Sequence, residues 1–247
     1  MRASLLTIII IMVTMGVQGQ SAKEVQFKTK DGLALYGDLY INQKGSPMVM
    51  LFHQAGSCAR GEYENIIPIL LEGGYNIIAV DQRSGGSKLG GVNRTVDQLD
   101  GKEYEYCDTF PDFEATLSFV RSELNHSDKI IAWGSSYSAA MVIHLLANYP
   151  DKISGVLAFS PASGGSMKSC SPNDKFLMLN GKALILRPHE EMGIPSVQSQ
   201  FELAKSAGLS TYVSKNGVHG ASMMNTEKVE GSTEEIWKVV LDFMAHL

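Results

Sequence analysis

Apolar and polar positions along the chain define two kinds of segment. Short runs such as 48–52 and 129–133 are continuously apolar, which is typical of strands buried on both faces of a sheet. The longer segment 112–124 repeats apolar residues at helical spacing, with Pro111 near its start. Strand-like and helix-like segments alternate, which predicts an α/β fold with a largely parallel sheet.

Turn residues mark the limits of these segments. Asp31-Gly32 lies between strand-like runs at 25–30 and 33–42 and predicts an antiparallel N-terminal hairpin. Ser232 or Thr233 is a candidate cap for the last helix. Further strands are predicted at 75–80, 156–159, 183–186 and 211–214, and further helices at 62–72, 197–207 and 233–247. The sequence therefore predicts a mixed sheet with helices on both faces.

Composition limits the class of protein. The chain has 247 residues, of which 44% are hydrophobic and 19% are charged, and its formal net charge is −5. These values are typical of one globular domain, which we expect over residues 20–247. The chain has no run of Lys and Arg, so we do not expect nucleic acid as a partner.

The N-terminus has the pattern of a secretory signal peptide. Arg2 precedes an apolar stretch at 5–17, and Val17-Gln18-Gly19 fits a cleavage site before Gln20. We expect residues 1–19 to be removed, with the mature protein secreted or periplasmic and without stable membrane insertion. The stretch is short for a membrane span, although an uncleaved anchor remains the alternative.

The three cysteines are Cys58, Cys107 and Cys170. In an oxidising compartment two of them can form a disulfide, and the sequence does not determine which two. Cys107 and Cys170 are preferred because both lie in loop-like segments. Without a CxxC motif or a Cys/His cluster, we expect no metal site and no cofactor.

Gly134-Ser135-Ser136-Tyr137-Ser138 is the strongest candidate for a chemical motif. It lies between an apolar strand and a helix, as a nucleophile elbow does. Small residues two positions on either side of the serine allow the helix to cross the strand closely. Ser136 is therefore the predicted nucleophile. The alternative is a simple Ser/Gly turn.

A serine nucleophile in a strand–turn–helix scaffold requires an acid and then a histidine later in the chain. His219 follows the last predicted strand, in a loop with Gly217 and Gly220, and is the candidate base. The remaining histidines precede the serine, lie in helices or lack a following acid in the right place: His53, His126, His144, His189 and His246.

The acid is expected after the strand at 183–186, where two glutamates compete. Glu191 is preferred because it lies four residues before Pro195, at a turn into the next helix. Glu190 remains the alternative. The acid would orient the imidazole and stabilise its protonated form.

An oxyanion hole requires two backbone N–H groups. Tyr137, directly after the nucleophile, would supply one. The loop after the strand at 48–52 would supply the other, with Ala55 preferred and Gln54 as the alternative, since small residues there allow close approach to a ligand.

These motifs together resemble the α/β-hydrolases, in particular the dienelactone-hydrolase and prolyl-oligopeptidase-like esterase branches. The resemblance rests on segments 52–56, 81–87, 134–138 and 217–220, which span most of the chain. It implies an α/β-hydrolase fold with a mostly parallel central sheet. It also implies that Asp81 and Arg83 are structural. The chain departs from the family pattern at His53-Gln54, where His-Gly is frequent, and in having Glu rather than Asp as the acid.

The segments around the site bear on the substrate. Segment 162–182 is too short for a large lid domain, whereas the longer segment 82–109 can form a wall with Tyr104, Tyr106 and Cys107. An open site favours short acyl esters or exposed acyl groups on larger molecules. The main hypothesis is a serine carboxylesterase. The alternatives are an oligopeptide or aminopeptidase-like hydrolase, and an inactive secreted binding protein on the same fold.

Overall fold

A computed structural model describes residues 21–126 and 128–247. The predicted signal peptide at 1–19 lies outside the described residues. Eight strands form one sheet in the order β1-β2-β4-β3-β5-β6-β7-β8. Their bounds are β1 Lys23–Lys28, β2 Ala34–Tyr40, β3 Met48–Phe52, β4 Asn76–Asp81, β5 Ile130–Ser135, β6 Gly155–Phe159, β7 Ala183–Pro188 and β8 Ser210–Ser214.

The sheet is antiparallel only at its N-terminal edge, where β1 pairs with β2 and β2 pairs with β4. All other neighbouring strands are parallel. The carboxyl ends of β3 and β5 to β8 therefore lie at one edge of the sheet, and the loops that follow them can converge there.

Helices cover both faces of the sheet because its central strands are apolar on both faces. In β3, Met50 packs into the core on one face and Leu51 into the core on the other. Residues of α3 (Phe110–Ser118), α4 (Tyr137–Asn148) and α5 (Pro195–Ser206) contribute to the first core. Residues of α1 (Ala59–Tyr63), α2 (Ile67–Glu72) and α6 (Glu234–His246) contribute to the second. The predicted fold class is confirmed.

The predicted helix at 62–72 is divided into α1 and α2. Pro68 lies in the first turn of α2. A proline has no backbone N–H and clashes with the preceding turn, so a helix can begin near it but cannot continue through it. The predicted helix at 112–124 begins earlier, at Phe110, and changes to a wider π turn at Phe119–Glu123.

Two irregular segments border the carboxyl edge of the sheet. Segment 82–109 contains only short 3₁₀ turns, at Val96–Gln98 and Tyr106–Thr109. Segment 162–182 likewise has only two such turns and forms no large lid. A disulfide between Cys107 and Cys170 joins the two segments and confirms the preferred pairing. Cys58 is a free, buried thiol.

The described helices and acidic or metal-binding side chains bear on membrane spans and metal sites. Within the described ranges, the helices are all too short or too polar to cross a membrane. The same part of the chain contains no group of three or more His, Cys, Asp or Glu side chains arranged to hold a metal ion.

Candidate active site

Ser136 lies on a sharp turn between the end of β5 and the start of α4. Its φ of 60° and ψ of −118° are unusual for a residue with a side chain. Such strained backbone persists only where the surrounding structure holds it, and it is frequent at active sites. A Cβ at Gly134 would overlap the carbonyl oxygen of Ser138, so the close strand–helix crossing requires glycine there.

Ser138 takes the position where a second small residue is expected, and its hydroxyl makes two buried hydrogen bonds. The hydroxyl donates to the carbonyl oxygen of His53 at 2.6 Å and accepts from Gln82 Nε2 at 2.6 Å. Gln82 Nε2 also donates to the hydroxyl of Tyr137. These buried bonds tie the start of α4 to the loops that follow β3 and β4.

The two candidate oxyanion donors occupy equivalent places on neighbouring strands. Phe52 on β3 pairs with Gly134 on β5 in parallel register. Ala55 lies three residues after Phe52, and Tyr137 lies three residues after Gly134. Tyr137 is the first residue of α4, so its N–H has no partner within the helix. In the described ranges the N–H of Ala55 makes no hydrogen bond.

Gln54, the alternative oxyanion donor, uses its N–H elsewhere. That N–H donates to the Glu62 carboxylate at 2.6 Å. Gln54 is therefore less available to a substrate than Ala55 is. The neighbouring His53 is fully buried, which lowers its pKa, and its Nδ1 lies 2.8 Å from the Gln54 carbonyl oxygen.

His219 and Glu191 are brought together by the loops after β8 and β7. His219 Nδ1 lies 2.6 Å from Glu191 Oε1. This contact leaves Nε2 as the ring nitrogen that could accept a proton, which is the tautomer that a general base requires. Glu190 is exposed and does not contact His219 in the described structure.

Arg187, which no sequence motif singled out, binds the other oxygen of the same carboxylate. Its Nη1 donates to Glu191 Oε2 at 2.8 Å, and its side chain is only 2% exposed. Partial burial opposes the ionisation of Glu191, but the bonds from His219 and Arg187 outweigh it, so the pKa of Glu191 lies below its ordinary value. The carboxylate is thus held as an anion in a fixed orientation.

The loop that carries His219 packs against the residue that precedes Ser136. The N–H of Ala221 donates to Ser135 Oγ at 2.9 Å, and the N–H of Gly220 donates to Ser160 Oγ at 3.0 Å. Among the described residues no hydrogen bond joins the Ser136 hydroxyl to the His219 ring. In free enzymes such bonds are often long and shorten only when substrate binds.

An aromatic pair packs beside the elbow. The ring of Tyr106 stacks on the ring of Tyr137 with 4.9 Å between centroids. Tyr106 precedes Cys107, whose disulfide with Cys170 ties this segment to the segment 162–182. Asp81 and Arg83, expected to be structural, are engaged in buried ion pairs.

This arrangement of sheet, elbow and converging loops defines an α/β-hydrolase, as the sequence motifs implied. A sequence profile of the family described as serine aminopeptidase, S33, matches residues 43–235. Since the match covers more than half of the chain, the chain belongs to this family of serine hydrolases. No curated protein matches the chain.

Solved structures with the same fold include esterases and a peptidase. An esterase of Pyrococcus furiosus superposes with a TM-score of 0.70 at 18% identity, covering 92% of this chain and 90% of the other. A Klebsiella pneumoniae protein, predicted to be a dienelactone hydrolase, superposes with a TM-score of 0.68 at 16% identity, covering 92% of this chain and 99% of the other. The acylaminoacyl peptidase of Pyrococcus horikoshii gives 0.66 at 17% identity, covering 92% of this chain but 41% of the peptidase. At these identities the likeness establishes the fold.

Proposed function

We propose that the protein is a secreted or periplasmic serine hydrolase of carboxylic esters that uses Ser136, His219 and Glu191. The observation that carries the proposal is the 2.6 Å contact between His219 Nδ1 and Glu191 Oε1. It leaves Nε2 free as a base, on a loop anchored to the neighbour of a strained elbow serine. The Cys107–Cys170 disulfide supports an oxidising compartment.

The proposed reaction has two steps. Nε2 of His219 takes the hydroxyl proton of Ser136 while Oγ attacks the ester carbonyl, and the N–H groups of Tyr137 and Ala55 stabilise the oxyanion. The protonated His219 then gives that proton to the leaving alcohol, which leaves an acyl-enzyme. Water, deprotonated by His219, releases the acid and restores the Ser136 hydroxyl.

A fluorophosphonate probe tests the nucleophile. We expect labelling of the wild type and of Ser206→Ala, an exposed serine at the end of α5, and no labelling of Ser136→Ala. Equal labelling of Ser136→Ala would identify another nucleophile. Failure to label any of the three proteins would favour an inactive binding protein on the same fold.

Substrate class is tested by comparing p-nitrophenyl esters of graded acyl length with aminoacyl p-nitroanilides. The open site, without a large lid among the described residues, supports faster turnover of short acyl esters. The family description and the peptidase fold make an aminopeptidase the second candidate. Preferential cleavage of anilides with a free amino terminus would favour that candidate.

A further inference from the structure

Glu62, in α1, is a buried carboxylate directly behind the candidate site. Only 2% of the residue is exposed. Oε2 accepts the backbone N–H of Gln54 at 2.6 Å, and Oε1 accepts Gln54 Nε2 at 3.3 Å. The hydroxyl of Ser135 also faces this carboxylate and favours its ionised form, which lowers the pKa of Glu62. The reaction proposed above gives Glu62 no role.

The burial of this carboxylate is energetically unfavourable. Burial raises the pKa of Glu62, and the bonds from Ser135 and Gln54 offset that effect only in part. The ion pairs of the described residues do not include Glu62, and the charge of Lys228 acts on it from a distance. An acid held by neutral donors in a protein interior requires a compensating structural or functional benefit.

Glu62 lies at the end of a polar chain that runs from the His219 loop through Ser135. The N–H of Ala221 donates to Ser135 Oγ at 2.9 Å. The hydroxyl hydrogen of Ser135 is then available to point toward Glu62, which also accepts a hydrogen bond from the N–H of Gln54. This polar chain therefore links the His219 loop, the residue before Ser136 and the oxyanion loop.

Gly220 brings the same loop close to the carboxylate. Its φ is +71°, and a Cβ at this position would overlap Ser135 Oγ and lie 3.7 Å from Glu62 Oε1. Glu62 thus borders three elements of the site at once. A carboxylate, which accepts several hydrogen bonds and needs no proton of its own, suits this junction.

We propose that Glu62 is a positioning residue that sets the oxyanion hole against the nucleophile. By binding the N–H of Gln54, it fixes the loop so that the next N–H, that of Ala55, is free to meet the oxyanion. Through Ser135 it holds the same loop in register with Ser136. This inference rests on the proposed function, because it assigns a role within the proposed reaction.

Steady-state kinetics with a short p-nitrophenyl ester test the role of Glu62. Glu62→Ala should lower kcat by roughly 10- to 100-fold and change KM less than about threefold, since an oxyanion hole acts on the transition state. The affinity for a trifluoromethyl ketone inhibitor should fall in step with kcat. Glu62→Gln retains an acceptor for the Gln54 N–H and should recover most of kcat, and Glu64→Ala, an exposed acid beside α1, should match the wild type.

Several results would overturn the assignment. One is a folded Glu62→Ala protein with wild-type kcat, and another is a Glu62→Gln protein as slow as Glu62→Ala. If Glu62→Ala does not fold, Ser135→Ala interrupts the same chain while keeping the carboxylate, and an unchanged kcat in that variant contradicts the proposal. A failure of the proposed function itself would appear in a different experiment, as the absence of Ser136-dependent fluorophosphonate labelling in the wild type.

Discussion

Glu191→Gln is the sharpest perturbation of the proposed triad, because Arg187 determines how the new amide must lie. In the wild type, Oε1 faces His219 Nδ1 and Oε2 accepts from Arg187 Nη1. A guanidinium only donates hydrogen bonds, so it will take the oxygen of the amide. The NH₂ group is then left facing His219.

The magnitude follows from the histidine tautomer. Facing a donor, Nδ1 of His219 must accept a hydrogen bond, so the ring proton moves to Nε2. The ring can then no longer take the proton of Ser136. In serine proteases the same tautomer error lowers kcat by about 10⁴-fold, equivalent to about 5.5 kcal/mol. We expect Glu191→Gln to lower kcat by on the order of 10³- to 10⁴-fold with little change in KM.

Stability should respond differently from activity. The amide introduced by Glu191→Gln keeps an acceptor for the buried Arg187, so this variant should stay folded. Glu191→Ala removes that acceptor and leaves a guanidinium that is 2% exposed with one partner fewer. Loss of a buried partner typically costs about 3–5 kcal/mol, so Glu191→Ala should unfold at a clearly lower temperature than Glu191→Gln.

The assay is hydrolysis of p-nitrophenyl acetate, measured in parallel with thermal unfolding. Glu190→Gln is the matched control, since it makes the same chemical change at the exposed neighbour. It should retain activity within about twofold of the wild type. If Glu191→Gln keeps more than about a tenth of kcat, or if Glu190→Gln abolishes turnover, the assignment of the acid is wrong.

Three further predictions concern the loops and the charge of the site. Gly220→Ala should lower activity at least about tenfold, because the residue has φ +71° and the new Cβ would overlap Ser135 Oγ. Gly208→Ala is the control, since Gly208 has φ +76° but lies in open space, and this variant should show only the small loss of stability that backbone strain causes. Reduction of the Cys107–Cys170 disulfide, which closes a loop with a sequence separation of 63 residues, should cost about 4 kcal/mol of stability and lower Tm by on the order of 10 °C, and an unchanged calorimetric Tm in reductant would contradict this. The pKa of Glu191 is lower in the folded protein, so its ionic contacts stabilise the fold above its unfolded pKa and are lost as pH falls through the folded value. In urea unfolding, the excess free energy of unfolding of the wild type over Glu191→Gln should therefore shrink below about pH 4.3. An excess that stays the same at lower pH would count against the ion pair.

The fold could be predicted from the sequence because its determinants are local. The run Met48–Phe52 is apolar on every position, and the structure buries it between two cores. Asp31-Gly32 predicted the hairpin that forms the antiparallel edge. The division of the predicted helix at 62–72 was missed, although Pro68 was its visible signal.

The residues that support the site could be predicted much less well. Arg187 belongs to an apolar strand and would ordinarily be placed at its solvent-exposed end, yet it is buried against Glu191. Glu62 belongs to a segment with helical spacing, where acids usually face water. Its partner Ser135 lies far away along the chain, and a pairing across the fold leaves no periodic signal in a single sequence.

The link between Cys107 and Cys170 also constrains how substrate preference can change. Segments 82–109 and 162–182 would otherwise vary independently, as surface loops usually do. Here one covalent bond joins them, and Tyr106 beside it packs on the first residue of α4. Exchanging either loop alone for that of a relative would leave a cysteine without its partner and disturb the packing of Tyr106 on Tyr137. The two segments therefore form a single evolutionary and engineering module that must be transplanted together.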